Sequence, residues 1–385
     1  MNLCADQNQT ALVDTTLIKS RFKHTFHTYH NECPWNPSMS HILYMGTNGP
    51  EESAYVIIQN LMDGQETILS ETTCYNFHTG AWALWALGGK AVVFMIRRQG
   101  RDFPCVVKID KPNQLHVQDA LPDHSIRSLS SDGINLYTCR NQSNFEQESI
   151  ICKTNLINSK TETVATSSEV LALLPESLKE AESLCILNHP VPNDKESRIY
   201  FKLLYKASGQ NQKFNSFWVK DTIEDKFYLH GNRISGHPAW MPDGRNILNI
   251  KHPQDGSDNR WIVKVDCDTG ADSRYMDFPI EGPGHLAVQP GGDLIVSDAF
   301  TANGLASPIY LIDGKNRMGR EIIRLNHLFD GRASAGSNNP IDVGILRGQP
   351  HPAFSPDGTK LAVNWNNAGN QMRLVILSNL PSLRS

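Results

Sequence analysis

Apolar residues along this chain fall in short runs separated by Pro/Asp/Gly turns, and one such unit recurs. Residues 236–244 read GHPAWMPDG and precede the apolar run 246–250. The unit returns at 350–358 as PHPAFSPDG and, more weakly, at 284–292 as GHLAVQPGG. Degenerate copies stand at 126–133 (IRSLSSDG), at 82–89 (WALWALGG) and at 33–37, ahead of the run 41–44. Each copy is a short strand, a turn and a second apolar strand, the grammar of a β-hairpin. The turns end near residues 39, 89, 133, 244, 292 and 358. Only the gap from 133 to 244 is about twice the others, so a seventh unit is expected near 184–187, before a strand pair at 198–205 and 216–220.

A period of roughly 40–50 residues with several strands per repeat is the mark of propeller blades. Later strands of each unit are legible at 54–58, 105–109, 261–265, 309–312 and 373–377. The last unit has too few strands after its turn, and the segment 10–18 is a spare strand at the other terminus. The pattern therefore predicts an all-β chain, one seven-bladed β-propeller domain over 1–385, with its ring closed by the N-terminal strand. The one helical pattern lies at 168–183, interrupted by Pro175. Segments 206–214 and 331–340 are polar and expected to be mobile loops.

Composition narrows the function classes. The 385 residues are 39% hydrophobic, and Lys plus Arg number 36 against 40 Asp plus Glu, a net charge of −4. Such a balance offers no basic stripe for nucleic acid, although a local basic cleft for an acidic oligosaccharide is compatible with it. No run approaches the ~18 apolar residues of a membrane span, so no membrane partner is expected. The expected location is the cytoplasm, or outside the cell if a leader peptide has been removed. A monomer or weak oligomer is expected. The eight cysteines (4, 33, 74, 105, 139, 152, 185 and 267) form no CxxC pair, so reduced buried thiols are favoured over a disulfide framework.

The histidines supply the candidate chemistry. In a propeller the first strand of each blade lines the central channel, so one repeat position forms a ring. The second position of the GHPAWMPDG unit carries His237, His285 and His351 in three consecutive units. Cys33 holds that place in the first unit, with His30 and Glu32 just upstream; His78 and His124 precede the second and third. Gln349 stands two residues before His351. Each imidazole could simply bond a neighbouring backbone group, but several at one depth suit Mn, Fe, Ni or Zn. His24, His27 and His41 are expected on the surface or on blade faces, and Tyr29 and Tyr75 as packing residues. No GxSxG, Walker or HExxH motif is present.

These repeats and histidines resemble those of the oligogalacturonate lyases, seven-bladed propellers related to the TolB type. The resemblance implies that His237 is the catalytic base and that His285 and His351 are metal ligands. The family's closing HPHPxF pattern reads here as QPHPAF at 349–354, so Gln349 replaces the first of its two histidines. It also implies a divalent metal, manganese, as cofactor. The family's carboxylate-binding arginine is absent, and Ser216 stands in its place. Arg233 and Arg347 are the nearest candidate replacements, and His78 and His30 are further catalytic and substrate-binding candidates.

The expected reaction is β-elimination at a 4-linked uronic acid, of oligogalacturonate or rhamnosyl-glucuronate type. Neutralising the carboxylate acidifies the C5 proton, and a histidine near its ordinary pKa then removes it. Two other readings stand beside it. One is a non-catalytic TolB-like binding platform with structural histidines. The other is a hydrolase, which would need two carboxylates at glycosidase separation, where only Glu32 has an inner-strand position.

Overall fold

The computed structural model describes residues 13–30, 32–112, 114–140, 148–174, 184–206, 213–232, 237–251, 261–276, 283–299, 306–326, 349–367 and 371–383. Seven antiparallel four-stranded sheets follow one another along the chain. Sheets one to six each take four consecutive strands, over 24–72, 84–117, 124–166, 184–232, 239–274 and 283–326. Sheet seven takes three, over 353–378, and its fourth is the N-terminal strand Asp14–Leu17. That strand pairs with Gln371–Ser378, Asp14 opposite Ser378 and Leu17 opposite Val375. The unit expected near 184–187 is sheet four, whose first strand is Leu184–Pro192.

Contacts divide the chain into two compact units. The first comprises Met1–Ala83, Pro253–Ile262 and Arg274–Ser385; the second comprises Leu84–His252 and Val263–Ser273. Within each unit the middle strands are buried on both faces, as Ala91 to Met95 shows, because sheets cover one another. Tyr137, Ile151, Leu187, Phe201 and Trp218 fill the space between sheets three and four. Val296, Leu311, Val363 and Leu377 do the same between sheets six and seven.

The repeated turn locks neighbouring sheets. Gly133, Gly244 and Gly358 hold φ of 70°, 63° and 69°, a left-handed conformation that glycine adopts without cost. Each offers its carbonyl to the turn of the preceding sheet. Leu87 N–H reaches Gly133 at 3.0 Å, Asn193 Nδ2 reaches Gly244 at 2.8 Å and Gln289 Nε2 reaches Gly358 at 2.9 Å. A second repeat closes the outer hairpins. The Oδ1 atoms of Asn60, Asn155, Asp221, Asp266 and Asp313 each accept the N–H two residues on, a side-chain mimic of a turn.

The expected helix is short. Ser167–Ala172 is helical behind a capping box of Thr166 and Glu169; 175–183 and most of the expected mobile loops lie outside the described residues. The six described cysteines are free thiols. Among the described residues, no helix is long and apolar enough to cross a membrane. His24 and His27, expected on surfaces or blade faces, are buried, because the segment that carries them packs inward. The His27 peptide is bracketed by Asn364, whose Oδ1 accepts its N–H at 2.9 Å and whose Nδ2 donates to its carbonyl.

Two stability predictions follow from this framework. A Cβ at Gly133 would sit 2.8 Å from the Leu87 backbone nitrogen at a left-handed φ, so Gly133→Ala should cost about 1–3 kcal/mol in urea unfolding. Burial, chiefly, and then Arg140 lower the His124 pKa to about 4. Between pH 6.5 and 4 the unfolded chain takes up a proton that the folded chain refuses, so stability falls as pH falls through that window. His124→Gln should flatten this part of the urea midpoint against pH and leave the region above pH 7 unchanged.

Candidate functional site

The site is built from the first strands of the sheets. A backbone bond closes the turn in six of the seven sheets, from Asn36 N–H to the His41 carbonyl in sheet one. The same bond runs from Ser130 to Asn135, Asn193 to Arg198, Met241 to Asn246, Gln289 to Leu294 and Ser355 to Lys360. Four residues before these donors stand Glu32, Ile126, His189, His237, His285 and His351. The ring position thus holds histidine in four consecutive sheets, four to seven. His189 escaped the sequence reading because its turn, at 193–197, lacks the Asp-Gly signature. The available signal was its dipeptide, since His189–Pro190 repeats His237–Pro238 and His351–Pro352.

In the first unit, Tyr29 is the centre of four imidazoles. Its ring centroid lies 4.4 Å from His30, 4.7 Å from His351, and 5.8 Å from both His78 and His285. His285 is 4.5 Å from His351 and 4.8 Å from His30, and His78 is 4.7 Å from His351. All but the half-buried His78 are almost fully enclosed. Four of the sequence candidates therefore meet, around a tyrosine expected only to pack. Gln349 joins them through the His351 ring, with Oε1 3.2 Å from Nε2.

Asp298 organises this cluster. Its carboxylate is fully buried. It accepts the His285 N–H at 2.5 Å, the His285 Nδ1–H at 2.9 Å and the His351 N–H at 3.3 Å. The ladder register breaks between Pro283 and Leu286, a bulge that re-aims the His285 side chain. His351 holds φ of 47°, a strained conformation for a residue other than glycine. With Nδ1 donating to Asp298, His285 carries its lone pair on Nε2. His30 has the same tautomer, because its Nδ1 donates to the Leu286 carbonyl at 3.1 Å.

Burial, then the neighbouring His285, His78, His30 and His27 rings, hold the His351 pKa well below the usual range. Its Nδ1 is buried with no hydrogen-bond partner among the described residues. Imidazoles oriented by a carboxylate or a carbonyl are the donor set of a first-row divalent ion, and the residues present fit one. The Glu32 carboxyl is raised to about 8 by burial, so it is protonated at neutral pH although the residue as a whole is only half-buried.

His237 lies in the second unit, edge-on to His189 at 5.8 Å between ring centroids. Arg233 and Arg347 lie outside the described residues. Ser216 is committed elsewhere: it is buried and accepts the Trp218 indole N–H at 2.8 Å.

The chain matches no protein-family model and no curated protein sequence. Its seven four-stranded sheets are the blades of a seven-bladed β-propeller, a fold it shares with several solved structures. An oligogalacturonate lyase in complex with manganese is similar with a TM-score of 0.69 at 16% identity, over 96% of each chain. A second oligogalacturonate lyase, from Vibrio parahaemolyticus, also scores 0.69, at 15% identity over 98% of this chain and 95% of its own. The β-propeller domain of the Trilobed protease from Pyrococcus furiosus scores 0.58 at 12% identity, over 92% and 97%.

Asp298→Asn tests the organising role of the carboxylate. An amide offers one acceptor oxygen and turns an NH2 toward donors that Asp298 now satisfies. The variant should lose about 2–3 kcal/mol in urea unfolding, and an unchanged midpoint would remove Asp298 from the centre of the site.

Proposed function

We propose that this protein is a lyase that cleaves a 4-linked uronic-acid glycoside by β-elimination. The observation that carries the reading is the set of imidazoles gathered around Tyr29, with His285 oriented by Asp298. The shared fold with an oligogalacturonate lyase in complex with manganese supports it. His285 and His351, with Gln349 behind His351, would hold a divalent cation, manganese by analogy; His30, with its lone pair on Nε2, is a further ligand candidate. When bound, the cation would supply positive charge that neutralises the substrate carboxylate and acidifies the adjacent C5–H.

The chain's own residues would do the rest. His237 is proposed to take the C5 proton; the C5–H electron pair forms the C4–C5 double bond, the C4–O4 bond breaks, and the leaving oxygen takes a proton. The substrate is an acidic oligosaccharide, and the cytoplasm is the proposed location.

Metal analysis of protein purified without chelator, with ultraviolet absorbance on a panel of 4-linked uronates, tests the reading. Wild type should carry the metal and generate the absorbance of an unsaturated product. His351→Ala should lose the metal. His237→Ala should keep the metal and lose roughly 10²–10⁴ in rate. Loss of metal from His237→Ala would make that residue a ligand and move the base to His78. A metal-replete wild type inert on every uronate would leave the binding-platform reading in its place.

A further inference from the structure

Sheet seven is closed over only half its length. Its third strand, Gln371–Ser378, has eight residues, and the N-terminal strand Asp14–Leu17 faces only Val375 to Ser378. In sheets one and six the fourth strand opposes all but one residue of the third. Past Leu17 the chain gives one more ladder bond, from Ile18 N–H to the Leu374 carbonyl at 3.0 Å, and then turns away. The buried N–H groups of Met372 and Leu374 still need acceptors. Two side chains from the first strand of sheet one, His24–Phe26, stand in for the missing strand. His24 Nδ1 accepts the Met372 N–H at 3.2 Å, and Thr25 Oγ1 accepts the Leu374 N–H at 3.1 Å.

A backbone N–H can only donate, so His24 Nδ1 carries a lone pair and the ring proton sits on Nε2. A second proton would place N–H against N–H and remove the acceptor. The surroundings oppose it further. His24 is buried, and the two charged groups that act on it are both cations, Lys23 beside it and Arg373 beside Met372. The Arg373 guanidinium is held there by the Ile18 carbonyl at 3.0 Å. The remaining neighbours carry no charge: Phe77 stands edge-on at 5.2 Å, and Thr47 is the partner across the ladder. Burial, then Lys23, then Arg373 lower the His24 pKa to about 4. The segment continues to His27, whose peptide is bracketed by Asn364 of the second strand of sheet seven, and then to Tyr29 and His30 of the candidate site.

We propose that His24 is a proton-sensitive latch, which fastens the segment leading to Tyr29 and His30 onto sheet seven and releases it in acid. The released segment exposes an ordinary imidazole that takes up the proton the latched ring refuses. The latch therefore holds fully above about pH 6.5 and weakens as pH falls toward 4. At pH 5 the open form should be about 30-fold more populated than at neutral pH. Release loosens the stretch that carries Tyr29 and His30, so acid disturbs the site from outside it. The latch does not depend on what the site binds or on the lyase reading.

Amide hydrogen exchange of the full chain at pH 8 and pH 5, corrected for the intrinsic effect of pH on exchange, tests the proposal. In wild type the Met372, Leu374 and His27 amides should lose about 30-fold in protection at pH 5, more than those of Leu43 to Met45 in sheet one. In His24→Asn, Oδ1 stands as many bonds from the backbone as Nδ1 and does not titrate in this range. That variant should keep the protection at pH 8 and lose its pH dependence. His24→Phe offers no acceptor, and its Met372 amide should be open already at pH 8. A pH dependence that survives in His24→Asn assigns the proton to another group and overturns the latch. So does a Met372 amide that opens in acid while His27 stays protected, since that is the fraying of a strand end alone.

Discussion

A carboxylate taken out of water needs N–H donors around it, and Asp298 has three. Two of the donors belong to His285 and one to the backbone of His351, so one side chain joins the first strands of sheets six and seven. The bulge at His285 and the left-handed backbone of His351 both turn N–H groups toward it. Held by a common acceptor, they bring two imidazoles to 4.5 Å between ring centroids.

The scaffold beneath this arrangement is made rigid by small repeated devices. Turn glycines expose a carbonyl to the preceding sheet, and Asn or Asp side chains close the outer hairpins. These contacts recur because each unit of the chain meets the same steric problem. A site placed on first strands, just before the locked turns, inherits their precision. The ring contacts around Tyr29 follow from that placement.

Chemically, the cluster is a set of nitrogen donors rather than of carboxylates. Asp298 has its lone pairs engaged by N–H groups, and the Glu32 carboxyl is raised to about 8 by burial. With its oxygens so engaged, Asp298 is not free to serve as the carboxylate partner of a glycosidase pair. Imidazoles can accept a proton or a metal, and the proposed elimination beside a carboxylate calls for both.

The sequence alone determined the repeat, the number of sheets and the place of the spare N-terminal strand. Turn chemistry and short apolar runs are local, and the chain writes them in order. It also singled out His237, His285 and His351, which share one repeat position, and named His30, His78 and Gln349 as further candidates. It did not reveal His189, whose turn has lost Asp-Gly, nor the role of Tyr29, which lies outside the repeat unit. Asp298 was invisible for a different reason. It sits on a second strand, where nothing local distinguishes a packing position from a functional one. Only the tertiary structure decided that one carboxylate is surrounded by histidine N–H groups. Burial and company are properties of neighbours brought from distant parts of the chain, and no short stretch of sequence contains them.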